Sequence, residues 1–141
     1  MFSVDENKID EVLALINFSD KRIVNRILHL VKKYNDIDVK LNEKYAELDK
    51  IEDELDKSIA LSDLEINILE EFKKDVNEAF GMNIVDEIYR DAFPGNGDVL
   101  PGIEEYFRIF DRAKPFIEDS KKQESIAISE LNKLYSLDRI K

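Results

Sequence analysis

Cysteine, tryptophan and threonine are absent from these 141 residues, and histidine occurs once. Without cysteine there is no disulfide framework, no thiolate nucleophile and no Cys-ligated metal. The single histidine, His29, stands between Leu28 and Leu30, one residue off an apolar seam. A metal site built on it would need carboxylates or waters for every other ligand, so a partly exposed helix histidine is the simpler account. No run approaches the ~18 uninterrupted apolar residues of a membrane span. The opening MFSVDENKID has neither a basic n-region nor an apolar h-region, so it does not read as a signal peptide. The expected location is the cytosol, without membrane association.

Positive charge is also scarce. The chain has 21 basic and 32 acidic side chains, a net charge of −11. Residues 61–100 alone carry 3 basic against 10 acidic, and of the four stretches 1–60, 61–100, 101–120 and 121–141 only the last, with 5 against 3, is net basic. Nucleic-acid binding needs a basic stripe that neutralises phosphates, and anionic membrane needs a polybasic patch. Neither is present, so direct nucleic-acid binding is not expected.

Four glycines and three prolines are few for this length, and all but Pro115 fall between Leu69 and Phe110. The rest of the chain carries apolar residues at helical spacing. Hydrophobic residues make up 43%, enough for a core in one domain of this size. Charged residues reach 38%, above the usual ~25%, as long solvated helices require. The sequence predicts a single all-α domain, a bundle of five to six helices.

Ile9, Val12, Leu13 and Ile16 predict a first amphipathic helix over 6–17, and Ser19 or Asp20 caps the next. From Lys21 to about Ala60, Ile27, Val31, Tyr34, Leu41, Tyr45, Leu48, Leu55 and Ile59 fall on alternating four- and three-residue steps, a heptad-like stripe. As one helix it would be ~60 Å long, against a diameter of roughly 35–40 Å for a compact chain of this size. It either protrudes as an arm or breaks near Asn35–Val39, where β-branched and Asx residues weaken a helix. Its seam is the feature that points to a homo-oligomer or a helical partner.

Ser62-Asp63-Leu64-Glu65 matches a capping box and predicts a helix start at Ser62, opening a compact aromatic region over about 62–138. Leu69, Phe72, Val76 and Phe80 form its apolar face, and Gly81 supplies a left-handed C-terminal cap. Asn83 caps a short helix through Arg90. Phe93-Pro94-Gly95-Asn96-Gly97-Asp98 is loop, with Asp98 capping a helix from near Pro101. Pro115 predicts a kink or restart, a last helix reaches about Tyr135, and Ser136–Lys141 reads as a polar tail. Met1–Val4 is the one strand candidate.

Catalytic chemistry finds no footing here. No serine lies in a nucleophile elbow. Paired carboxylates such as Glu70/Glu71 and Asp86/Glu87 are helix neighbours that point about 100° apart, so they do not converge on an ion. Gly95-Asn96-Gly97 lacks the strand and lysine of a phosphate cradle, and Asp91 and Asp98 flank it. The expectation is a non-enzymatic, protein-binding molecule with no cofactor and no metal. Its contact surfaces are expected at Phe93, Pro94 and Asn96 in the loop and at Tyr34, Leu41, Tyr45 and Leu48 on the stripe.

Glu78-Ala79-Phe80-Gly81, a short helix, Ala92-Phe93-Pro94-Gly95, an aromatic helix from Gly102 to Phe110 and a charged last helix ending Lys133-Leu134-Tyr135 follow in that order. This order resembles small tail-operon proteins of phages that infect Gram-positive bacteria, encoded where tail assembly chaperones lie and regarded as such. The resemblance covers roughly residues 63–138, and the strand-forming start of that family is reduced here to Met1–Val4. It implies a non-enzymatic protein that associates with the tape-measure protein and tail tube subunits before the tail polymerises. Two other classes fit the residues: an acidic inhibitor that mimics nucleic acid, from the charge of 61–100, and a coiled-coil adaptor, from the 27–59 stripe.

Overall fold

A computed structural model describes residues 4–92 and 99–140, with backbone alone at 127, 132 and 134–140. The described residues form six α-helices and one 3-10 turn, with no strand: α1 Glu6–Leu13, α2 Lys21–Tyr34, α3 Ile37–Leu48, α4 Glu54–Phe80, α5 Ile84–Tyr89, the turn Arg90–Ala92, and α6 Ile103–Ile140. The expected all-α bundle is what the chain adopts. The strand candidate is not realised at Val4, and its other residues lie outside the described ones.

The stripe from 21 to 60 is not one helix. It breaks at Asn35-Asp36 and ends at Leu48, because Asp53 starts a new helix there. The Asp53 carboxylate accepts the backbone N–H of Leu55 at 2.9 Å and of Asp56 at 3.0 Å, satisfying two otherwise orphaned donors. Ser62 therefore lies inside α4, and the helix start expected there is corrected to Glu54. Ser62-x-x-Glu65 is a capping signal only where the preceding residues are not already helical.

α2 and α3 run in succession antiparallel to α4. Lys33 Nζ meets Asp75 at 2.7 Å, Tyr45 Oη meets Glu65 at 3.3 Å, and Lys57 Nζ meets Asp49 at 2.7 Å. The pairing thus climbs from the core to a tip at residues 49–53. The antiparallel partner of the stripe is α4 of the same chain. Only part of the stripe is covered: Ile27, Tyr34 and Leu41 are buried, while Val31, Leu55 and Ile59 are exposed, Leu55 by 70%.

Gly81 ends α4 as expected. Its φ of 73° is left-handed, and its N–H donates to the Asn77 carbonyl at 3.0 Å. Asn83 occupies the N-cap of α5 without a side-chain bond; the Asn77 Oδ1 instead accepts the Val85 N–H at 3.2 Å. The proposed Asp98 cap lies outside the described residues. α6 passes Pro115 without ending and continues through the segment expected to be a polar tail. Pro115 is exposed, and so is Asp111, whose carbonyl the missing N–H leaves free, so that side of the helix is open to solvent.

One core holds the helices together, and Phe72 is its centre. Its ring stacks on Tyr34 (centroids 3.7 Å) and on Tyr106 (4.4 Å), and meets Phe107 edge-on at 6.0 Å. Ile9, Val12 and Leu13 of α1, Ile84, Val85, Ile88 and Tyr89 of α5, and Ile109, Phe110 and Ala113 of α6 complete the core. α1 is pinned to α6 by Arg112, which grips both carboxylate oxygens of Asp10, its Nε at 2.9 Å from Oδ1. The Arg112 hydrogen bonds hold the Asp10 carboxyl below its usual range. A depressed pKa means stability present above the unfolded value of ~3.9 and lost as pH falls through the folded one. Thermal unfolding of Asp10→Asn is therefore expected to lie below wild type at neutral pH and to converge with it as pH falls through the lowered Asp10 pKa.

Candidate functional site

Where α3, α4 and the first turn of α6 meet, the packing leaves an apolar groove of about 380 Å³ lined by Leu41, Tyr45, Ile68, Leu69 and Ile103, with Glu65, Glu104 and Glu105 around it. A cavity of about 150 Å³ already admits a benzene-sized group, so this one has room for an aliphatic side chain. The groove exists because the three helices diverge there. α6 begins at Ile103, beside Leu69, while α3 and the N-terminal half of α4 continue past it towards residues 49–53. Leu41 forms a buried floor, and Tyr45, Ile68, Leu69 and Ile103 are half-buried walls. Burial and the Glu65 carboxylate raise the pKa of Tyr45, whose hydroxyl donates to Glu65.

The surface predicted on the stripe divides at this point. Leu41 and Tyr45 line the groove, and Leu48 is half-buried further along α3. Tyr34 is corrected to a core residue: it is 3% exposed, its ring stacks on Phe72, and its hydroxyl donates to Asp75 at 2.7 Å. Phe93, Pro94 and Asn96 lie outside the described residues. Ile68 and Ile103, which the stripe did not single out, complete the walls. Their i, i+4 relation to Phe72 and Phe107 marks them as apolar-face residues, but which face stays open depends on where three distant helices diverge.

Other apolar residues are exposed on the free ends of α4 and α6. On α4, Leu55, Ile59 and Ile66 share one face by helical geometry, and all three are exposed. On α6, cover ends soon after Ile117: Ser120 Oγ donates to the Phe18 carbonyl at 2.8 Å and Lys21 Nζ meets Glu124 at 2.6 Å. Beyond that tie Ile126, Ile128 and Leu131 are exposed. The two uncovered segments lie at opposite ends of the bundle, since α2 begins beside Glu124 and runs antiparallel to α4.

The charged clusters are occupied with structure. Lys73 lies in a wide polar depression beside Val99, where its ammonium donates to Asp86 at 2.9 Å and to the Val99 carbonyl at 2.5 Å. His29 is exposed on α2. Among the described residues no three His, Cys, Asp or Glu side chains are grouped to hold a metal, and no helix is long and apolar enough to cross a membrane. What this arrangement offers chemically is an apolar slot with acidic edges, suited to an amphipathic helix that carries basic flanks. No protein-family model, no curated protein and no solved structure matches the chain.

Proposed function

We propose that the protein is a non-enzymatic binding factor that takes an amphipathic helix of a partner protein into the groove between α3, α4 and α6. The observation that carries this reading is the apolar groove itself, edged by carboxylates. Apolar side chains of the partner supply affinity there, and the acidic edge selects basic flanks and speeds encounter. The sequence resemblance to phage tail-operon proteins supplies the specific form: a tail assembly chaperone that shields helices of the tape-measure protein until the tail tube polymerises, acting in the host cytosol. An acidic surface of net −11 keeps such a complex soluble.

The nucleic-acid-mimic alternative draws less support from the fold. Glu71, Asp75 and Asp86 within the acidic 61–100 segment are paired with Lys33 and Lys73, which dilutes the negative field a mimic needs. The adaptor alternative rested on a seam that α4 now partly covers. Co-expression with a tape-measure protein from the same tail operon tests the chaperone form. The expected result is co-purification at low and at high salt, because an apolar groove is little screened. Failure at both salts overturns it.

A further inference from the structure

We infer that α3 is a hinged flap over the groove: it lifts from α4 as a unit, turning about residues 35–36 and 49–53, while α2, α4 and α6 stay packed. The inference rests on the proposed reading of the groove only for what the flap admits. The closed groove has room for an aliphatic side chain, whereas an amphipathic helix presents a row of anchors at i, i+3, i+4 and i+7. The seam that holds α3 down is thin. A second cavity, of about 190 Å³, is lined by Tyr34, Ile37, Leu41 and Ile68 beside Lys40 and Lys44. Leu41 and Ile68 line both spaces, with Tyr45 on the groove edge of α3 and Lys40 and Lys44 on the other. They are thus the wall between two voids. Atoms that face a void lack contacts on that side, so lifting α3 forfeits little packing.

The other ties of α3 are weak beside those of α2. Only Asn35 and Asp36 separate the two helices, and Asp36 occupies the N-cap without a side-chain bond to the helix it starts. α3 buries only Ile37 and Leu41, and Tyr45 donates to Glu65 of α4 at 3.3 Å. At the tip Lys57 pairs with Asp49, whose side chain is 71% exposed, a setting in which an ion pair contributes little. α2, by contrast, buries Ile27, Leu30 and Tyr34, stacks Tyr34 on Phe72, and holds Asp75 through both Tyr34 and Lys33 at 2.7 Å. Local opening follows such differences in buried contact. Lifting α3 joins the two cavities into one cleft along α4, with Tyr34, Ile68, Leu69 and Ile103 in its walls.

Native-state hydrogen exchange on the free full chain tests it. No partner is present, so failure here removes the flap and leaves the groove, while a partner that does not bind leaves the flap intact. Amides of residues 41–48 are expected to be protected about a hundredfold less than those of 27–34. Their exchange is expected to change little in sub-denaturing urea, because a lifted flap exposes little new surface. Ile27→Val, a mild core truncation away from α3, is expected to lower protection of 27–34 by about two- to tenfold and to leave 41–48 unchanged, since the core stays formed when the flap lifts. One common protection and urea slope across 27–34 and 41–48 overturns the inference. So does an Ile27→Val chain in which both segments weaken alike, which makes α3 part of one cooperative unit with the core.

Discussion

Replacing Phe72 with alanine is expected to lower unfolding stability by about 4 kcal/mol, within the range for truncating a fully buried aromatic. Phe72 is 0% exposed and sandwiched between Tyr34 of α2 and Tyr106 of α6, with interplanar angles of 11° and 14°. It is a side chain of α4 that touches both α2 and α6. Truncation removes transfer energy, leaves a void that helices tied at both ends cannot collapse into, and ends two stacking contacts, each contributing ~0.5–1.5 kcal/mol beyond area. Set against a total of ~5–15 kcal/mol, this is a large share of what holds the domain together. Urea denaturation followed by far-UV circular dichroism measures it. Near-UV signal from the tyrosine pair is expected to fall in the native baseline as well. A loss below 1 kcal/mol would mean that the three-ring stack is not the centre of the core.

The second large effect lies at alkaline pH. Burial comes first in raising the pKa of Tyr34, Tyr89 and Tyr106 far above that of a free tyrosine. Hydrogen bonds to carboxylates reinforce it, Tyr34 donating to Asp75 at 2.7 Å and Tyr89 to Glu105 at 2.8 Å, while the Asp86 charge acts on Tyr106. With the folded pKa raised, the unfolded chain ionises first. Stability is therefore intact below pH ~10 and lost as pH rises past it. Each such tyrosine contributes a slope of ~1.4 kcal/mol per pH unit, so the three together give about 4 kcal/mol per unit above pH 10. Tyrosinate absorbance near 295 nm is expected to show that these three of the five tyrosines titrate only together with loss of helicity, in one cooperative step. Independent titration of all five in a still-helical protein would contradict the burial of the hydroxyls.

Local signals in the sequence located much of this fold. Asp20 caps α2, its carboxylate accepting the Arg22 N–H at 2.9 Å; Gly81 stops α4; and the apolar face of α1 is Ile9, Val12 and Leu13. Each depends on neighbours within a turn or two, which is why it is readable. Ser62 misled because a capping box cannot reveal that Asp53 has already begun the helix. Pro115 misled because its missing N–H falls on a solvated side. The heptad-like stripe had the right period, but the period does not say how far cover extends, and Leu55 and Ile59 lie past it. Tyr34 was placed on a contact surface and is core for the same reason. The groove was half legible. Leu41 and Tyr45 follow from the stripe, whereas Ile68, Leu69 and Ile103 join them only through contacts that link residues roughly twenty to sixty positions apart.

The claim on which the function rests is that an apolar helix of a partner seats between α3, α4 and α6. Its most direct measurement is a chemical-shift titration of the isotope-labelled full chain with a helical segment of a tape-measure protein. Shifts concentrated at Leu41, Tyr45, Ile68, Leu69 and Ile103, and abolished in Ile103→Lys, are the predicted result. No shifts at saturating peptide, or a cluster elsewhere on the bundle that survives Ile103→Lys, would contradict it.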